Sequence, residues 1–125
     1  HHRMSWLGIF LGGGLGSLVR YAIYKAFEVE GRNFPVGTVV ANFLSCLVLG
    51  FLVAWFARHT ASTSVRLFFM VGFCGGFSTF STFTNESFQL FEKGAYGLAL
   101  LNIGGSVLIC LFAIYLGLLL ARLVS

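Results

Sequence analysis

Residues 72–84 read G-F-C-G-G-F-S-T-F-S-T-F-T, two adjacent glycines followed by hydroxyl side chains interleaved with phenylalanines. Glycine is costly inside a helix, and the string lies within a charge-free stretch at 67–85. It therefore predicts an apolar helix broken between Gly75 and Thr79. Unwound backbone at membrane depth is tolerated only where it is buried in protein or lines water, and its freed carbonyls can then coordinate a cation. Beyond the break, Phe80 and Phe83 are three apart and share a helical face, with the hydroxyls of Ser81 and Thr82 alongside.

Other polar residues recur every four positions in uncharged surroundings. Thr38, Asn42, Cys46 and Gly50 form one row, with Ser45 beside it, and Asn102, Ser106 and Cys110 form another. Asn42 carries two amide donors that need partners at depth. It either glues helices together or lines a hydrated path. Gly8, Gly12 and Gly16 form a close-packing face that Arg20 continues. Arg20 is either the cation of an electropositive vestibule or an interfacial side chain reaching for headgroups. Glu86 is open in the same way, between a helix-terminal charge near water and a pore group. The inward groups are thus overwhelmingly neutral donors, with one Arg and no acid before Glu86, and phenyl rings add positive edges. A small, hard anion suits them better than a cation, whose path would be ringed by Asp or Glu.

These side chains need elements to carry them. Of 125 residues, 58% are hydrophobic and 10% charged, with no Asp. A soluble domain carries about a quarter charged residues. Charge-free stretches at 4–19, 33–57, 67–85 and 94–121 together hold 88 residues, and a membrane-spanning helix takes about 20. The expectation is an all-α membrane protein with four spans near 5–24, 38–56, 65–91 and 97–120. Short connections at 25–37, 57–64 and 92–96 join them. Residues 1–3 read as a tag remnant, which leaves 4–125 as a single four-helix transmembrane domain. The first span has no compact apolar core followed by a cleavage site, so it is not read as a signal peptide. Cys46, Cys74 and Cys110 lie deep in apolar runs without C-x-x-C spacing and read as free thiols. The net charge of +4 is scattered between spans, which argues against a nucleic-acid partner.

Orientation follows from the same charges. Arg58, Arg66 and Arg122 fall on the side of the termini, and Lys25, Arg32 and Lys93 on the other. An even split gives no reason to insert one way, so dual topology is expected, with opposed copies paired as an antiparallel homodimer. Arg20 counted with Lys25 would instead tip the chain to one orientation.

The string G-F-C-G-G-F-S-T-F-S-T-F resembles the signature of the Fluc (CrcB) fluoride channels, and G-T-V-V-A-N ending at Asn42 resembles their second-span motif. The resemblance covers essentially the whole chain. It implies passive, fluoride-selective export that relieves fluoride toxicity, by an antiparallel dimer with two pores in a bacterial inner membrane. Carried over by position, Asn42 would hydrogen-bond fluoride and Phe80 and Phe83 would present ring edges to it. Ser81, Thr82 and Ser106 would continue the polar track. Carbonyls of Gly75 and Ser78 from both subunits would hold a structural sodium ion, although position 78 is usually Thr in the family.

Two other classes compete. A dual-topology small multidrug exporter needs a membrane-embedded carboxylate, and the first span has none. A non-transporting assembly protein leaves the Asn and hydroxyl rows without a use. An enzyme is not expected. His59, the one histidine outside the opening residues, lies in a loop far in sequence from any Ser or Cys it could activate.

Overall fold

Residues 2–32 and 34–124 are described by the computed structural model; His1, the first residue of the stretch read as a tag remnant, lies outside them. The described residues form helices only. They run α1 (His2–Ala26), α2 (Val36–Arg58), a segmented third element, and α6 (Tyr96–Val124). The third element comprises α3 (Thr63–Arg66), a π-helical stretch Leu67–Phe73, α4 (Cys74–Phe77) and α5 (Phe80–Glu92). Four stretches, Arg3–Ala26, Val36–Arg58, Thr63–Glu92 and Tyr96–Val124, are long and apolar enough to cross a membrane. The four expected spans are all present, each three to five residues longer than the span read from the sequence.

Turn chemistry sets the ends. Pro35 precedes the first residue of α2, and the Ser62 hydroxyl accepts the Val65 amide to start α3. Gly94, at φ 79°, closes α5 in a left-handed conformation that suits glycine. The Ala95 amide donates to the Leu90 carbonyl at 2.9 Å, and the Gly94 amide to the Phe91 carbonyl at 3.0 Å. That pairing satisfies carbonyls at the helix end, and α6 turns back directly.

Inside a bilayer apolar surface alone does not drive helices together, so association rests on close packing and polar contacts. The glycine rows supply the closeness. A Cβ at Gly12 would collide with the Phe68 carbonyl, and one at Gly16 with that of Phe73. Thus α1 lies directly on the π-helical stretch, and Ser5 and Ser64 pair hydroxyls at 3.2 Å near its start. The second tight contact joins α2 and α6. There a Cβ at Gly50 would strike the Ile114 carbonyl, and one at Gly117 the Leu47 carbonyl. The bundle is therefore two close pairs, α1 with the third element and α2 with α6, and α5 leans on α6. Large apolar side chains such as Trp6, Phe10, Leu108 and Leu123 point outward, as a lipid-facing surface requires.

Candidate functional site

The third element breaks at two residues. Ser78 (φ −89°, ψ 158°) and Thr79 (φ −148°, ψ 122°) are extended between α4 and α5. Sequence reasoning set the break between Gly75 and Thr79, and the structure narrows it. Gly75 and Gly76 remain helical. Gly76 is needed for packing, since a Cβ there would meet the Gly13 carbonyl of α1.

Side chains replace the helical bonds lost at the break. In a continuous helix the Thr79 amide would pair with the Gly75 carbonyl. Instead it donates to Asn42 Oδ1 at 3.0 Å, while Asn42 Nδ2 donates to the Thr79 carbonyl at 3.4 Å. Arg20 Nε donates to the Gly76 carbonyl at 3.0 Å, which a continuous helix would pair with the Phe80 amide. A guanidinium at the C-terminal end of α4 also complements the partial negative charge of that end. Hydroxyls of Ser45 and Ser78 both donate to the Cys74 carbonyl at 3.1 Å. The Thr79 hydroxyl caps α5 by accepting the Thr82 amide at 3.2 Å.

Beside the break lies a cavity of about 240 Å³ whose lining includes Asn42, Ser78, Thr79, Phe80, Phe83 and Ser106. Four of the six residues expected in a pore, from three different elements, therefore meet in one place. Phe80 and Phe83 rings lie 5.9 Å apart and tilted by 45°. They are not equivalent, for Phe83 is 9% exposed and held in the bundle while Phe80 is 78% exposed. The other two expected residues stand outside this lining. Ser81 is exposed and its hydroxyl lies 3.3 Å from that of Thr79, and Thr82 is engaged through its backbone in the cap. The two carbonyl positions expected to hold a cation also differ, Gly75 being exposed and Ser78 half-buried at the break.

Arg20, expected in a vestibule, is committed to the break, with its guanidinium 5.8 Å from the Tyr24 ring centre. A second cavity of about 470 Å³ opens at the 25–37 connection, and its cations are Lys25 and Arg32. Glu86 and Tyr24 also line it, and Glu86 Oε1 and the Tyr24 hydroxyl are buried there without a hydrogen-bond partner among the described residues. Glu86 is thus half-buried in the body of α5, and the reading of it as a solvated helix-terminal charge does not hold.

One polar chain escaped sequence reasoning. Ser106 donates to Asn102 Oδ1 at 3.3 Å, Asn102 Nδ2 to the Ser87 hydroxyl at 2.9 Å, and Ser87 to the Phe83 carbonyl at 2.9 Å. Asn102 is fully buried, and the chain ties α6 to the turn that carries Phe83. The available signal was Ser87 recurring four after Phe83 on the buried face of α5.

Comparison with known proteins bears on this arrangement. Residues 7–118 match the family described as CrcB-like protein, Camphor Resistance (CrcB). The chain is 45% identical over 115 residues to the fluoride-specific ion channel FluC of Pyrococcus furiosus, covering 91% of this chain and 93% of that one. It is 42% identical over the same shares to the fluoride-specific ion channel FluC of Pyrococcus horikoshii. With the protein of the same name from Rhodopseudomonas palustris it shares 40% over 124 residues, 98% of this chain and all of that one.

Proposed function

The chain belongs to the CrcB family, and on that premise we propose that it is a fluoride-selective ion channel, a multi-pass membrane protein and not an enzyme. The observation that carries the reading is the cavity in which Asn42, Ser106 and the Phe80 and Phe83 rings converge beside the broken third helix.

A small, hard anion leaving water needs compact donors in place of its hydration shell. Asn42 has a second amide N–H beyond the one given to Thr79, and the ring edges of Phe80 and Phe83 carry partial positive charge. Fixing Asn42 through Thr79 costs it one donor and aims the other. Phe83 is positioned by the bundle, and the more exposed Phe80 is free to follow the ion. Ser106 lines the same cavity with its one O–H given to Asn102, so it would join the donor set only by turning that hydroxyl to the ion, and Ser81 and Thr82 would join only through a path continued along α5. Lys25 and Arg32 at the second cavity draw anions toward the protein.

Assembly and cation belong to the same proposal. The even division of Arg and Lys between the two sides supports insertion in both orientations, and opposed copies would pair as an antiparallel homodimer. The carbonyls near the break suit a hard monovalent cation such as sodium. The Gly75 carbonyl has lost its helical donor to Asn42, and Ser78 lies in extended backbone with its carbonyl released from the helix. Gly75 and Ser78 of two copies would hold the ion, which would neutralise carbonyl dipoles that meet between subunits. In a bacterial inner membrane such a channel would export fluoride passively and relieve its toxicity.

Purified protein in fluoride-loaded liposomes should release fluoride on ionophore addition, read by an ion-selective electrode, and retain chloride. Phe80→Ile and Phe83→Ile should slow the release while eluting like wild type on size exclusion. Equal efflux of both halides would refute the reading of selectivity, and unchanged flux in both variants would reduce the rings to packing.

A further inference from the structure

The same cavity holds two groups that an anion path does not use. Cys46 of α2 and Cys110 of α6 both line it, and both are free thiols of intermediate exposure. Their approach is set by the close packing of α2 on α6. Gly50 lies one turn past Cys46 and Ile114 one turn past Cys110, and the Ile114 backbone occupies the place a Gly50 side chain would take. The two residues are therefore brought to the same level of adjoining helices by backbone contact, facing one cavity.

We propose that Cys46 and Cys110 form a binding site for a soft divalent cation that accepts two-coordinate thiolate ligation, and that this cation closes the cavity. Two thiols and one M²⁺ give RS–M–SR and two protons: two metal–sulfur bonds form, two S–H bonds break, and no electrons are exchanged. The product is neutral. Neutrality decides the class of cation, because a monovalent ion between two thiolates leaves a net negative charge in an apolar surround, at a cost of several kcal/mol. Borderline metals such as zinc want four ligands, mostly sulfur and nitrogen. The other polar residues of the lining, Asn42, Ser78, Thr79 and Ser106, offer only neutral amide, hydroxyl and carbonyl groups, and no cluster of three or more His, Cys, Asp or Glu occurs among the described residues. Thiolate ligands select soft metals, and a two-thiol pair favours one satisfied by two bonds. Since the same space is lined by Asn42 and Phe83, a cation bound there stands where the anion would pass. The binding is independent of the channel reading, and only the block of fluoride movement rests on it.

Mercuric ion is the probe. Substoichiometric Hg²⁺ is added to the purified protein, and remaining thiols are counted after denaturation. Cys74→Ala is run in parallel to remove the third thiol from the count. Two thiols should vanish per Hg²⁺ in both proteins. Bridging also raises retention through the effective concentration of the second thiol, so stripping Hg²⁺ from wild type should take about a hundredfold more 2-mercaptoethanol than from Cys46→Ala or Cys110→Ala. In liposomes, Hg²⁺ should slow fluoride efflux of wild type at least about tenfold relative to its own untreated rate, and a dithiol should restore it. Loss of one thiol per Hg²⁺, or equal retention by either single variant, overturns the site. If the site binds as described but efflux is unaffected, closure of the cavity is overturned. Absence of fluoride efflux before any Hg²⁺ is added refutes the channel reading and leaves the thiol count to decide the site.

Discussion

Replacing Asn42 separates its two roles, because the side chain both holds the break and faces the cavity. In Asn42→Leu the Thr79 amide and carbonyl lose their partners at 3.0 and 3.4 Å. The first distance is that of a good bond and the second lies beyond the usual range, so the cost falls mainly on the amide. An unpaired, desolvated N–H costs about 1–3 kcal/mol, while side-chain hydrogen bonds inside membranes average about 0.6 and reach about 1.7 kcal/mol. Thr79 is only half-buried, which favours the lower part of that range. The expected loss is about 1–2 kcal/mol, an approximately five- to thirtyfold fall in the folded-to-unfolded ratio, measured by SDS titration in mixed micelles. Asn42→Asp keeps an acceptor for the Thr79 amide and should stay nearer wild type in the same titration. It lacks the amide donor, and a hydrogen bond to a charged group is worth about 1.5–3 kcal/mol, so fluoride efflux should fall roughly ten- to a hundredfold. Asn42→Leu within about 0.5 kcal/mol of wild type, the scatter of neutral surface changes, would refute the claim that Asn42 maintains the break. Unimpaired efflux from Asn42→Asp would refute its role as a donor to the ion.

Two further outcomes follow from packing and charge. Gly16→Ala places a Cβ against the Phe73 carbonyl and Phe77 amide, whereas Gly14→Ala meets nothing within 4 Å. Overpacking costs about 1–3 kcal/mol, so Gly16→Ala should lose stability in the SDS titration and Gly14→Ala should not; equal behaviour would undo the close approach of α1 to the third element. Single cysteines introduced at Ala57 or Thr60 in a background lacking the native three should label from both sides of whole cells. Labelling from one side alone would exclude dual topology.

How far each feature was legible depended on the range of the interactions that create it. The four helices are present in the sequence because exclusion from water is a matter of local composition, and few charges interrupt these stretches. The neighbourhood of the break was equally local, marked by glycines and hydroxyls, but its position was not. Both glycines proved to be helical, Gly76 as a packing residue, and the chain departs from helix at Ser78 and Thr79, where Asn42, 37 residues away, takes over the Thr79 amide. Arg20 shows the same limit from the other side. Its spacing continued the small-residue face, yet the carbonyl it would meet, that of Gly76, lies 56 residues on.

The pairing of elements was decided by tertiary structure alone. Gly50 and Gly117 announce close approach without saying to what, and only the folded bundle matches them to Ile114 and Leu47. The same holds for Phe80 and Phe83, alike in sequence and three apart. Packing against α6 buries one and leaves the other exposed, and the chain from Ser106 through Asn102 and Ser87 anchors the turn of the buried one. The sequence by itself determined the solvent of this protein, the number of its crossings and the neutral, donor-rich chemistry it carries inward, since these depend on residue type and spacing. The tertiary structure decided which donors are occupied in holding the fold and which are left for an ion, because each polar group at depth must find a partner and the available partners lie on other helices.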